Sequence, residues 1–282
     1  MSDLLKAILY GIIEGITEWL PISSTGHLIL AEKLIPFENV SNGFFDVFDV
    51  IIQLGAILAV VVLFIDKLWP FAFTKKRKNK YDIDTFYIPD TWSLWFKIIV
   101  SCVPAGIFGI LFDDFFEEHF YNYVSVAVAL IFFGVIFIVV ENTIGKKGNF
   151  KVNDLKNITY MNALQIGIFQ ILAAAFPGTS RSGITLIGAM MLGISRTVAC
   201  EYTFFLAVPV MAGASLLKLI KFGFSFTGNE IAILGTGCVV SFIISIFAMK
   251  FLLKFIKKNN FKPFGWYRIA LGIIVLGVAF LG

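Results

Sequence analysis

The sequence predicts an all-α polytopic membrane protein, on three observations. Of its 282 residues 58% are hydrophobic, 15% are charged and 32 are phenylalanine, more apolar surface than a soluble chain of this length needs for a core. Six runs approach the roughly 20 apolar residues that a spanning helix requires, at about 50–66, 92–112, 122–140, 202–220, 231–253 and 264–282. The basic residues cluster in short connections between these runs, where membrane topology accounts for them, so the net charge of +4 points to no nucleic acid partner.

In chain order, residues 4–34 come first and read as an apolar helix, a break rich in Pro, Ser, Thr and Gly, and a second apolar helix. Each half is short for a span, so a re-entrant hairpin that enters and leaves on one side is expected, its irregular backbone shielded by protein or a watery cavity. No cleavable secretory signal is expected, because Asp3, Glu14 and Glu18 interrupt the first apolar run and no basic stretch leads into it. The first span then leads to Lys75, Lys76, Arg77, Lys78 and Lys80, which mark a cytoplasmic loop. The second span ends in DDFFEEHF, which holds no lysine or arginine and reads as a solvated outer loop containing His119. The third span returns to Lys146, Lys147, Lys151 and Lys156, a second cytoplasmic loop.

Residues 160–194 repeat the helix–break–helix pattern, and three more spans follow, the last two joined through Lys254, Lys257, Lys258 and Lys262 on the cytoplasmic side. Counting outward, the first hairpin opens from outside, the second from the cytoplasm, and both termini lie outside. A hairpin plus three spans therefore occurs twice in a single integral membrane domain, 1–282, as inverted repeats of about 1–150 and 151–282. A slide of 156 residues lays Gly11 on Gly167, Glu14 on Gln170, Pro21 on Pro177 and Ser24 on Ser180. Inverted repeats bring their broken helices together near the midplane, so PISSTGH and PGTSRSG are expected to meet. Cys102, Cys200 and Cys238 lie apart without CxxC spacing and read as small membrane-buried side chains.

The breaks carry the chemistry. Glu14 and Glu18 share one helix face. Each ionised carboxylate costs roughly 2.5–3.5 kcal/mol at the bilayer centre, so the pair must face a polar cavity, a cation, or each other across a shared proton; snorkelling to an interface would explain either one alone. Ser23, Ser24 and Thr25 could simply cap a helix, yet with His27 beside them they also offer donors for an anion and a nucleophile with a nearby base. Arg181, in the second break among Gly178, Thr179, Ser180 and Ser182, precedes a helix expected from Gly183, where the dipole and free amides suit a phosphate. It could also be the counter-ion of Glu14 or Glu18, a reading compatible with the first because a site can hold that pair until substrate arrives. Two acids, a serine, a histidine and an arginine together suggest phosphoryl transfer to water on a membrane-borne substrate.

EGITEWLPISSTGHLIL resembles the first signature of the bacterial undecaprenyl-pyrophosphate phosphatases of the bacitracin-resistance type, PGTSRSG resembles the second, and FDVIIQLGAILAVV is also similar to that family. The resemblance implies a membrane enzyme of the bacterial cytoplasmic membrane, its site facing outward, that removes the terminal phosphate from a C55 polyprenyl diphosphate and regenerates the carrier for envelope polymers. It implies that Glu14 and Glu18 are essential acids, Ser24 the nucleophile, His27 its neighbour and Arg181 the diphosphate clamp. On that basis Ser23, Thr25, Gly178, Thr179, Ser180 and Ser182 are expected to bind substrate, and Mg²⁺ or Ca²⁺ to bridge the diphosphate to Glu14 and Glu18. Either Glu18 or His27 is expected to take the proton of Ser24. The expected partners are the polyprenyl diphosphate and membrane lipids, with no nucleic acid and with a homodimer left open. A polyprenyl-phosphate flippase, which needs the same anion clamp without a nucleophile, is the alternative. A lipid phosphatase class with a histidine nucleophile after its second motif is excluded, because no histidine follows Arg181.

Overall fold

A computed structural model describes residues 1–71 and 88–281, apart from the side chains of Asp113, Asp114, Glu117 and Leu281. The basic cluster Lys75–Lys80 lies outside the described residues. Helix α1 (Asp3–Thr17) starts behind Ser2, whose hydroxyl accepts from the Leu5 amide. Six residues past its C-cap Glu18 the short α2 (Ser24–Leu34) begins, capped by Ser23, so the PISS segment breaks the helix as expected of a proline followed by hydroxyl residues.

Helix α3 (Phe44–Leu63) begins earlier than the apolar run suggests. Asp46 and Asp49 interrupt the hydrophobic pattern there, but Phe44 and Phe48 on the other face are fully buried, Phe48 edge-on to Tyr10 and Phe37. After the short α4 (Ile65–Leu68), α5 (Pro89–Phe120) continues through DDFFEEHF, which is helix and not loop. Phenylalanines one turn apart explain it: Phe108, Phe112, Phe116 and Phe120 form a ladder, and Phe116 and Phe120 meet the edge of Phe176. His119 and Glu118 on this helix are exposed.

Helix α6 (Tyr123–Val140) runs into one π-turn, Glu141–Gly145. Helices α7 (Tyr160–Ala175) and α8 (Arg181–Met191) flank the second break, and α8 begins at Arg181 itself, two residues before the expected Gly183. Helix α9 (Arg196–Phe222) starts before the apolar run because Arg196 is held by Glu141, donating through Nε to Oε1 at 2.9 Å and pairing a second time through Nη2. Helices α10 (Gly228–Ile256) and α11 (Lys262–Leu281) complete the chain.

Six of these helices, α3, α5, α6, α9, α10 and α11, are long and apolar enough to cross a membrane. Their outward faces bear Ile110, Phe132, Phe247 and Ile273, each more than half exposed, as lipid contact requires of a polytopic protein. The main helix pairs are α6 with α11, α1 with α10, α5 with α7, and α3 with both α10 and α9. Small residues set the closest approaches: Gly11 and Gly15 of α1 abut Val240 and Ile244 of α10, Gly167 of α7 abuts the Ser101 carbonyl of α5, and Gly134 and Gly265 face each other between α6 and α11. The three cysteines are free, Cys200 fully buried and the other two partly so. Lys146, Lys147 and Lys151 follow α6, while Lys257, Lys258 and Lys262 join α10 to α11. The two groups lie at one end of the bundle, where Glu141 accepts from the Phe261 amide at 2.9 Å.

Candidate active site

The two breaks touch, and Glu18 is where they do. As the C-cap residue of α1 it is 7% exposed and carries three contacts that no single helix could supply. Arg181 Nη2 donates to its Oε1 at 2.6 Å, Ser24 Oγ donates to its Oε2 at 2.9 Å, and Ser182 Oγ donates to its backbone carbonyl at 2.9 Å. The guanidinium of Arg181 also donates to the Thr203 carbonyl at 3.2 Å and to Met211 Sδ at 3.4 Å, both on α9.

Local backbone explains this convergence. Ser23 and Ser180 are the two non-glycine residues with positive φ among the described residues, at 75° and 70°. Each is the N-cap of the helix that follows, its Oγ accepting from the amide of Gly26 or Gly183. Non-glycine residues are held in such conformations only where surrounding structure over-determines them. The match pairs Ser23 with Ser180, one residue away from the slide of 156, so Ser24 and Arg181 occupy the same first helical position in α2 and α8. The break thus puts a hydroxyl and a guanidinium at two helix N-termini whose amides favour an anion. Gly178, at φ 91°, belongs to the same construction, since a Cβ there would sit 2.6 Å from the Val126 carbonyl oxygen.

The remaining sequence-selected residues divide. Glu14 is fully buried one turn before Glu18, and neither of its carboxylate oxygens has a hydrogen-bond partner among the described residues. Gln170 on α7, which the slide of 156 lays on Glu14, is likewise buried with its amide unpartnered among the described residues. His27 is engaged at both nitrogens: Nδ1 donates to the Ser23 carbonyl at 2.7 Å, leaving Nε2 to accept from the Tyr267 hydroxyl at 2.8 Å. It does not hydrogen-bond Ser24. Thr25 follows Ser24, half-buried. Thr179 is buried with its hydroxyl unpartnered among the described residues, and Ser180 and Ser182 lie 3.3 Å apart at their hydroxyls.

Three residues outside the two breaks join the site. Tyr267 and Arg268 reach it from α11, Arg268 Nη2 donating to the carbonyls of Gly178 at 2.9 Å and Thr179 at 2.8 Å. Asp49 on α3 has one carboxylate oxygen buried and unpartnered among the described residues, and it lines the cleft beside the second break. A lone arginine in the last apolar run and an acid at the head of the first were the signals available, since ionisable residues in spans mark function by default. A cleft of about 180 Å³, lined by Asp46, Asp49, Tyr121, Ala174, Pro177 and Lys218 among others, runs beside the second break.

For a divalent cation the donors fit in part. No cluster of three histidine, cysteine or acidic residues able to hold a metal occurs among the described residues. Both oxygens of Glu18 are committed to Arg181 and Ser24, whereas Glu14 has two orphaned oxygens. A hard cation takes six or more oxygens, so Glu14 could hold one only together with phosphate oxygens of a substrate.

A family model described as bacitracin resistance protein BacA matches residues 7–274. The chain is 59% identical over 277 residues to a protein named undecaprenyl-diphosphatase from Desulfitobacterium hafniense, covering 98% of this chain and 96% of that one. It is 58% identical over 276 residues to one of the same name from Lachnoclostridium phytofermentans, with coverage of 98% and 96%, and 54% identical over 274 residues to one from Enterococcus faecalis, with 97% and 96%. Similarity that runs through both breaks and every span makes this chain a member of the bacitracin resistance protein BacA family.

Proposed function

We propose that this protein is an undecaprenyl-diphosphatase, an integral membrane hydrolase that converts undecaprenyl diphosphate to undecaprenyl phosphate and inorganic phosphate. It thereby recycles the lipid carrier for cell-wall polymers and confers resistance to bacitracin. The observation that carries the site assignment is the Ser24–Glu18–Arg181 chain, 2.9 and 2.6 Å link by link. A hydroxyl donating to a carboxylate that is itself held by a guanidinium is an activated nucleophile with its base oriented.

Arg181 and the amides opening α2 and α8 bind the diphosphate. Ser24 Oγ attacks the terminal phosphorus while its proton passes to Glu18. The bond from that phosphorus to the bridging oxygen breaks, and the lipid monophosphate leaves with the electron pair. Water then attacks the phosphoserine, and Ser24 leaves as its hydroxyl with a proton returned from Glu18. His27, bonded to Ser23 and Tyr267, orients the first break and leaves the base role to Glu18. Mg²⁺ or Ca²⁺, when bound, would neutralise charge on the diphosphate, and Glu14 is the side chain that would hold it.

The breaks are re-entrant hairpins in inverted repeats of about 1–150 and 151–282. In support, α1 packs along α10 as α7 packs along α5, and the counterparts α3 and α9, and α6 and α11, pair with each other. The site faces the outer side of the bacterial cytoplasmic membrane. The cleft beside it is lined from the Asp46, Tyr121 and Lys218 end of the bundle, opposite the lysine-rich end that the charge rule assigns to the cytoplasm.

Purified protein in detergent, given undecaprenyl diphosphate, should release inorganic phosphate, and Ser24→Ala should reduce turnover by roughly two to four orders of magnitude. Labelled phosphate trapped on another residue would move the nucleophile. No release by the parent protein, with lipid still crossing vesicles, would make it a flippase.

A further inference from the structure

Helix α11 places two adjacent residues against the two breaks. The Tyr267 hydroxyl bonds His27 at 2.8 Å, and the two rings lie nearly parallel with centroids 5.6 Å apart. Its neighbour Arg268 is fully buried and donates both hydrogens of Nη2 to the carbonyls of Gly178 and Thr179. Its guanidinium carbon lies 5.6 Å from the centre of the Phe137 ring. Nε and Nη1 have no partner among the described residues, and Nη1 borders Gly183, where a Cβ would stand 3.2 Å from it and 3.2 Å from Ser180 Oγ. No carboxylate pairs with Arg268 among the described residues. A permanent cation kept dry with only two carbonyls costs the fold more than a neutral donor would. Such an expense is retained where the charge or the fork geometry does something for the site.

The fork has a definite local consequence. Gly178 and Thr179 immediately precede Ser180, which stands at φ 70°, and Arg181, which reaches Glu18. Two donors on one rigid plane fix two successive carbonyls, which determines the peptide planes from Gly178 to Ser180 and hence the direction in which α8 starts. With these carbonyls turned to Arg268, the amides of the α8 N-terminus are left to face the anion, and the uncompensated positive charge lies behind them.

We propose that Tyr267 and Arg268 form a brace on α11 that positions both breaks for phosphoryl transfer, Arg268 setting the second through Gly178 and Thr179 and Tyr267 setting the first through His27. The proposal rests on the assignment of Ser24 and Arg181 above. Arg268 is a positioning residue: it acts through the backbone that carries Arg181.

The test uses the full-length protein in detergent with undecaprenyl diphosphate, comparing Arg268→Met, Arg268→Lys and Tyr267→Phe with Ser24→Ala and Arg181→Met. In monodisperse Arg268→Met, kcat should fall about tenfold to a hundredfold with KM changed by less than about threefold, the signature of misplacement and not of lost binding. Arg268→Lys should recover part of the loss, and added guanidinium ion should raise kcat of Arg268→Met while leaving the parent protein unchanged. Tyr267→Phe, which keeps the ring and removes the hydroxyl, should lower kcat about threefold to tenfold. A kcat of Arg268→Met within about twofold of the parent, or a rise in KM at unchanged kcat, would overturn the brace. If Arg268→Met does not fold, Arg268→Lys and Tyr267→Phe decide, and parental kcat in both overturns it. Ser24→Ala and Arg181→Met that retain turnover would instead sink the site assignment itself.

Discussion

Glu18 is the residue on which both halves of the chain depend, and substitutions around it separate the roles. Glu18→Gln removes the proton acceptor of Ser24 and the ionic partner of Arg181, so kcat should drop by roughly two to four orders of magnitude in a phosphate-release assay. Arg181→Lys keeps a charge but loses the planar fork that serves Glu18, Thr203 and Met211 together. KM for the diphosphate should rise about tenfold, measured with kcat in the same assay. Glu14→Gln should behave differently. The carboxyl group is fully buried with both oxygens unpartnered among the described residues, and the residue that the slide of 156 lays on it, Gln170, is already an amide. Replacing a buried carboxyl group whose oxygens lack partners should leave the thermal unfolding midpoint in detergent unchanged or raise stability by about 1–3 kcal/mol, while turnover loses its response to added Mg²⁺ or Ca²⁺. Glu14, Glu18, Ser24 and Arg181 stood out in the sequence because ionisable residues are rare in apolar runs. Arg268 and Asp49 were equally visible as isolated charges, but Arg268 sits in no quoted motif, Asp49 is the one acid of FDVIIQLGAILAVV, and nothing in linear order ties α11 or α3 to the breaks.

Element by element, the breaks are built from backbone as much as from side chains. Gly178 combines φ 91° with a Cβ position only 2.6 Å from the Val126 carbonyl on α6. Gly178→Ala should therefore destabilise by about 1–3 kcal/mol and lower activity beyond the loss of folded protein, as seen by thermal unfolding alongside turnover per folded molecule. The short half-helices were legible because Pro and hydroxyl residues interrupt apolar runs. Their starting points were not: α8 begins at Arg181 because Ser180 adopts a positive φ to cap it, a choice stabilised by the packing around the break and not by the propensity of serine. The tail of α5 was misjudged for the opposite reason. DDFFEEHF reads as a charged loop until Phe116 and Phe120 meet Phe176 at the end of α7, which makes the helical ladder worth extending.

Across the whole molecule, the two ends of the bundle do different work. Away from the site, Glu141 is 1% exposed and accepts from Arg196 and from the Phe261 amide, tying α6, α9 and the turn into α11 together beside a π-turn. Arg196→Ala would strand that carboxylate, and a loss of about 3–5 kcal/mol in detergent unfolding is expected with little change in turnover of the folded fraction. The charge rule also places the Lys151 end in the cytoplasm and the Asn42 end outside. Single cysteines at those positions, in a variant lacking Cys102, Cys200 and Cys238, should be labelled by an impermeant thiol reagent in intact cells only at position 42. Membrane residence, six apolar spans, two helix breaks and a few polar residues too expensive to be accidental are all readable along the chain, because insertion energetics act locally and leave their mark on each run. It took the folded chain to show that Glu18 binds Arg181 and Ser24 at once, that His27 turns to Tyr267, and that Arg268 bonds the carbonyls of the second break. Those contacts join residues up to 240 positions apart, and they depend on glycine-lined helix pairs and peptide-plane directions that no local pattern of hydrophobicity records.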